Sequence, residues 1–263
     1  MVFDRAILGR TGIEVGRLGL ASSYGAPAGV VEQAFDHGMN YFYWGSLRRH
    51  PFGEGLRRLA GRRDRFLLVL QSYSRIAALV GPSVERALRA LHFDYTDVLL
   101  LGLWNGAIPP RILDAGRRLR ERGLVRHLAV STHNRSQIAR LAPDLQFDIF
   151  HVRYNAVHRG AEHEVFANLP AQNPPGLVSF TATSCRQLLA RKNIPRGEEI
   201  PTAADCYRFV LTQPAVNICM TGPANETQFQ HALEALRRGP MTDGELHWMR
   251  RVGDAIYTKA RAS

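Results

Sequence analysis

The chain has 263 residues, of which 45% are hydrophobic and 22% charged. That balance is ordinary for a globular protein and excludes disorder and low-complexity classes. Its length is typical of one barrel domain and allows a large buried core without disulfide staples. The net charge is +11, and arginine supplies 32 of the 34 basic residues, Lys192 and Lys259 being the lysines.

The N-terminal MVFDRAILGR is charged and lacks an apolar signal-peptide core. No uncharged apolar run of about 18 residues is present, so the expectation is no membrane span. Cys185, Cys206 and Cys219 are odd in number and widely spaced, which fits a reducing cytoplasm and no metal site. The arginines are scattered, and no basic-aromatic recognition motif accompanies them. They are therefore read as a solvated helix coat, with no nucleic-acid partner. The densest cluster, Arg57, Arg58, Arg62, Arg63 and Arg65, straddles an expected helix end, where cations suit the dipole.

Short β-rich runs then alternate with helical stretches, which predicts a parallel sheet with crossover helices. A hairpin is expected over Arg5 to Arg17. The first strand is Leu18 to Ala21, and the first helix is Gly29 to His37, stopped at Gly38. Asn40 to Tyr43 is the second strand, followed by a helix over Gly53 to Ala60. The third strand, Phe66 to Gln71, is almost continuously apolar, as buried parallel strands require. A helix over Val84 to Leu91 is expected to be capped by Ser83. Strand Asp97 to Leu101, helix Pro110 to Glu121, strand Arg126 to Ser131 and helix Ser136 to Leu141 follow. Next come strand Asp148 to Arg153, helix Glu162 to Asn168 and strand Leu177 to Thr181. Helix Ala203 to Leu211, strand Val216 to Met220 and helix Glu226 to Leu236 close the series, and Asp243 to Tyr257 adds a final helix. Eight alternations predict an α/β fold, a closed (β/α)8 TIM barrel in one domain. A doubly wound open sheet would want GxGxxG after the first strand, and LASSYGAP has none.

In such a barrel chemistry sits at the C-terminal strand ends. The residues there include Tyr24, Tyr43, Trp44, Arg48, Gln71, Trp104, His133, His151 and Tyr154. His133 and His151 come from neighbouring strands and suit acid/base work near neutral pH. A metal reading lacks a completing carboxylate or cysteine. The plainer reading has His133 capping a helix and His151 packed under the rim. Tyr43 is either an acid or a space-filler. Arg48 is either an anion fork or one more surface arginine. Tyr24, Trp44, Gln71, Trp104 and Tyr154 are expected to wall a substrate pocket.

Seven segments, in chain order, resemble the aldo-keto reductases. They are LGRTGIEVGRLGLA, AFDHGMNYF, VERALRALHFDYTDVLLL, RERGLVRHLAVSTHNRSQI, VRYNAVHRGAEHEVF, LVSFTATSCRQLL and VLTQPAVNICMTGPANETQFQHAL. The resemblance implies a catalytic aspartate, tyrosine, lysine and histidine. Those four fall on Tyr43, Arg48 (Arg49 if the gap shifts), Gln71 and Gly102. It implies carboxamide contacts at Ser131, Thr132 and His151, and a nicotinamide-stacking ring at Phe180. The adenosine-phosphate grip falls on Gly222, Asn225 and Gln228, with Asn225 in place of the usual base. Arg191, Lys192 and Arg196 could add charge for a phosphate.

These departures imply weakened NADP(H) binding and loss of the standard hydride step. Three functions stay open. The first is a repurposed acid/base enzyme acting on a small molecule by lyase, isomerase or cyclisation chemistry. The second is an NADP(H)-dependent carbonyl oxidoreductase with a displaced donor. The third is a non-catalytic sensor or scaffold. A monomer or weak homo-oligomer is expected.

Overall fold

A computed structural model describes residues 3–45 and 50–262. It begins with an antiparallel hairpin, β1 (Ala6–Ile7) and β2 (Glu14–Val15), whose Leu8 and Val15 plug the barrel floor. Eight parallel strands then close on themselves: β3 (Leu18–Ala21), β4 (Tyr41–Trp44), β5 (Leu67–Ser72), β6 (Thr96–Leu101), β7 (Val125–Thr132), β8 (Ile149–Arg153), β9 (Gly176–Phe180) and β10 (Ile218–Thr221). Each strand pairs with the next, and β10 pairs with β3. The (β/α)8 barrel expected from the alternation is the observed fold.

The outer ring comprises α1 (Ala28–Asp36), α2 (His50–Arg58), α3 (Ala77–Leu91), α4 (Pro110–Glu121), α5 (Arg135–Leu141), α6 (Ala161–Glu164), α7 (Ala203–Thr212) and α8 (Glu226–Arg238). A last helix, α9 (Asp243–Ala262), follows. Two helices depart from expectation. α3 starts well before Ser83, because Pro82 falls in its second turn and costs only one backbone bond. Ser83 Oγ donates to the Val80 carbonyl instead of capping. The stretch Glu162 to Asn168 splits into α6 and a 3-10 turn, Phe166–Asn168.

Strand alternation sorts the core into two bodies. Inward residues, among them Tyr41, Val69, Val98, Leu100, Ala129, Ile149, Val178 and Ile218, fill the barrel. Outward residues such as Phe42, Leu68, Leu99, Phe150 and Leu177 meet the helices. The arginine cluster is largely paired. Arg58 bonds Glu32 and Glu54, Arg62 bonds Asp36, and Arg63 bonds buried Asp97. Buried Arg208 of α7 grips Glu245 of α9 with both terminal nitrogens, and Arg250 of α9 grips Glu162 of α6. These pairs anchor the last helix over the barrel side. No helix among the described residues is long and apolar enough to cross a membrane.

Candidate active site

The C-terminal strand ends open on a cavity of about 840 Å³. Period-two alternation decides who reaches it. Tyr43, Gln71, Ser131, His151 and Phe180 occupy inward positions and line it. Tyr24, His133, Gly222 and Gln228 reach it from the loops and helices above.

Several expected wall residues face the other way. Trp44 and Tyr154 each fall one residue out of inward phase. Trp44 packs against Gly53 of α2 in the outer layer. The Tyr154 ring stacks on Phe209, and its hydroxyl donates to Glu162 Oε1 at 2.8 Å. Trp104 is buried in the same layer, with the Arg75 guanidinium 3.7 Å from its ring centroid. None of the three lines the cavity, which corrects their expected role as substrate walls. Thr132, next to inward Ser131, also turns outward, its hydroxyl on Asn105 Oδ1. Arg48 and Arg49 lie outside the described residues. Arg191 is spent on the carbonyls of Pro195 and Glu198.

The cavity floor is a set of neutral polar contacts. The Tyr43 hydroxyl donates to Gln71 Oε1. Gln71 Nε2 lies over Gly102, where any Cβ would collide with it and come within 3.0 Å of Ser131 Oγ. The glutamine thus fills the space a side chain at 102 would need. Gly102→Ala is expected to cost about 1–3 kcal/mol by overpacking, read as a lower urea midpoint. An unchanged midpoint would mean Gln71 swings aside freely.

Below them His151 is 4% exposed, with Nε2 2.8 Å from the Tyr41 hydroxyl. Burial pushes its pKa down to about 3, so the ring is neutral at pH 7. His133 sits at the rim, ring centroid 5.8 Å from that of Phe180. Its backbone N–H donates to Asn105 Oδ1. Burial first, then the nearby Arg153, holds its pKa below the usual histidine value. Neither imidazole caps α5, whose N-cap is Asn134.

Among the described residues the lining contains no lysine, aspartate or glutamate; its charge-bearing groups are Arg186 and the histidines 133, 151 and 231. Tyr207 and His231 join the wall from α7 and α8. Strand ends were the sequence signal, and these two sit mid-helix, where nothing in their spacing distinguishes them from packing residues. The loop after β9 holds Thr181, Ser184, Cys185 and Arg186 at φ values of 58, 49, 52 and 71°. Left-handed backbone at non-glycine residues is strained, and here it curls the loop over the cavity.

At the other wall, α8 caps itself. Asn225 Oδ1 accepts from the Gln228 N–H, and Gln228 Oε1 accepts from the Ala224 N–H, both at 2.9 Å. Asn225 is not part of the lining. Glu226 adds a carboxylate to the first turn, bonded to Gln33. Among the described residues no group of three or more histidine, cysteine, aspartate or glutamate side chains could hold a metal.

The architecture is that of a TIM-barrel protein with a cavity at the mouth. A family profile described as the Aldo/keto reductase family matches residues 26–182, more than half of the chain, and the chain belongs to that family. Among solved structures, it is similar to aldo-keto reductase AKR11C1 from Bacillus halodurans. The apo form superposes with a TM-score of 0.76 at 20% identity, covering 95% of this chain and 96% of that one. The holo form has a TM-score of 0.76 at 19% identity with the same coverage. No curated protein sequence matches the chain.

Proposed function

We propose that this chain is an aldo-keto-reductase-fold enzyme that acts on a small uncharged or anionic molecule by proton transfer, without the family's usual hydride step. One observation carries this reading: the described residues lining the cavity supply imidazoles, phenols and one guanidinium, Arg186, but no ammonium or carboxylate group. A phenol is a useful acid at neutral pH only beside a cation that lowers its pKa. Tyr43 has an amide, Gln71, as its partner. His133, whose pKa burial and then Arg153 hold below the ordinary histidine value, serves as the base. Tyr43 and Gln71 hold a substrate oxygen by hydrogen bonds. The chemistry these groups support is an isomerisation, elimination or cyclisation next to a carbonyl.

A second reading, an NADP(H)-dependent carbonyl oxidoreductase, draws on the Phe180 ring and Ser131, both lining the cavity. A bound nicotinamide would supply hydride, and Phe180 and Ser131 would hold its ring. The phosphate end fits less well. The start of α8 spends Asn225 and Gln228 on its own amides and presents Glu226. Phosphate prefers free helix-start amides without an acid beside them.

The test incubates the protein in D2O with a panel of small ketones and hydroxyketones and follows deuterium incorporation by NMR. Turnover is expected without NADPH, and Tyr43→Phe and His133→Ala are each expected to lower it about 10²-fold. Reduction of the panel only with NADPH, together with saturable quenching or enhancement of its fluorescence, would establish the second reading instead. No turnover and no NADPH binding would leave the sensor or scaffold role and sink both.

A further inference from the structure

Tyr41 lies two residues before Tyr43 on β4, facing the barrel interior, and is fully buried. A buried hydroxyl must find an acceptor or bear the full cost of desolvation. Its Oη lies 2.8 Å from His151 Nε2, and no other hydrogen bond to that hydroxyl exists among the described residues. Burial also raises the phenol's pKa, so the hydrogen stays on oxygen. The O–H therefore donates, and Nε2 accepts with its lone pair. A neutral imidazole has one N–H, and the bond at one nitrogen decides where it sits. Here it must sit on Nδ1.

His151 is more than nine-tenths buried yet lines the cavity. Its Nδ1 has no hydrogen-bond partner among the described residues and is not sealed away from the cavity. Leu100, Met220 and Ala21 line the same cavity as apolar residues. We infer that Tyr41 locks His151 as the Nδ1–H tautomer, so that the cavity floor presents one fixed, uncharged N–H donor to the carbonyl oxygen of a neutral ligand. Tyr41 is then a positioning residue, acting on the ligand only through His151. The pair would select a hydrogen-bond acceptor over an ammonium group, because two donors facing each other repel.

The inference deepens the proposed function, since it takes this cavity as the binding site. Its first readout does not depend on turnover. In the full chain, 15N-labelled at histidine, long-range 1H–15N NMR at pH 7 is expected to show His151 Nδ1 protonated and Nε2 bare. Tyr41→Phe is expected to release the lock and mix the two tautomers. Should that variant fail to fold, the wild-type spectrum alone decides.

Benzamide, a neutral carbonyl probe, is expected to shift the Nδ1–H resonance, whereas benzylamine is not. His151→Asn keeps an N–H near the Nδ1 position and should retain benzamide binding. His151→Gln places its amide toward Tyr41 and should weaken binding about tenfold. Nε2 protonated in the wild type, or benzamide that leaves Nδ1–H unmoved, overturns the inference. Absent turnover on ketones with the tautomer intact would instead count against the proton-transfer reading alone.

Discussion

Lowering the pH from 7 to 4 is expected to destabilise the wild-type fold by about 3 kcal/mol more than it destabilises His151→Asn. The folded imidazole has a pKa pushed down to about 3 by burial, against an ordinary value of 6.5. A depressed folded value means that the unfolded chain takes up a proton that the folded chain refuses. The stabilisation is fully present above about pH 6.5 and is lost as pH falls toward 3. At pH 4 the unfolded imidazole is already about 2.5 units below its pKa, each unit being worth about 1.36 kcal/mol. Among the described residues no carboxylate lines the cavity to rescue the charged form, and Tyr41 Oη, which gives its hydrogen to Nε2, would have to turn that hydrogen elsewhere to accept from an imidazolium. Urea midpoints of both proteins, measured across this range, check the claim. Carboxylate titrations elsewhere are common to the two and cancel. Parallel curves would show that His151 is not buried neutral.

Asp97→Ala is expected to cost about 3–5 kcal/mol, with the cavity untouched. Asp97 is the second residue of β6, at the end of the barrel away from the mouth, its side chain 4% exposed. One oxygen accepts from Arg63 at 2.6 Å and from the Leu68 N–H at 2.9 Å, and the other from Arg126 at 3.1 Å. Truncation leaves Arg63, 12% exposed and packed over the Phe66, Phe93 and Tyr95 rings, without its counter-charge. It also strands a backbone donor in β5. Asp97→Asn, which keeps the acceptor but not the charge, should fall between. Urea unfolding at pH 7 measures the cost, and benzamide shifts report the cavity. A loss below about 1 kcal/mol would mean that water or a shifted arginine compensates.

Much of the barrel was legible in the sequence because its cues are local. Gly38 and Gly123 end helices with positive φ, and strand runs such as Phe66 to Leu70 are apolar throughout. Tyr43, Gln71 and His151 were legible as strand-end residues, Ser131 and Phe180 only through the family resemblance, and the structure brings all five to one cavity. Trp44 and Tyr154 failed on phase. A residue at a strand end faces the mouth only if it keeps step with inward neighbours such as Tyr41 and Ile149, and theirs do not. That parity is itself written in the sequence. The Tyr41–His151 contact was not readable, because it joins strands on different sides of the barrel, 110 residues apart. The self-capping of α8 was readable in principle, since Asn225 and Gln228 have the spacing of a cap and its reciprocal partner.

The overlap of Gln71 with the empty position at Gly102 makes these two sites epistatic. A larger residue at 102 is blocked while the glutamine stands, and shortening the glutamine alone opens a void and removes the partner of Tyr43. A change at either position is therefore expected to alter the effect of a change at the other, so the order of substitution matters. The cavity floor is in this sense ratcheted: neighbouring sequences can drift around it far more easily than through it.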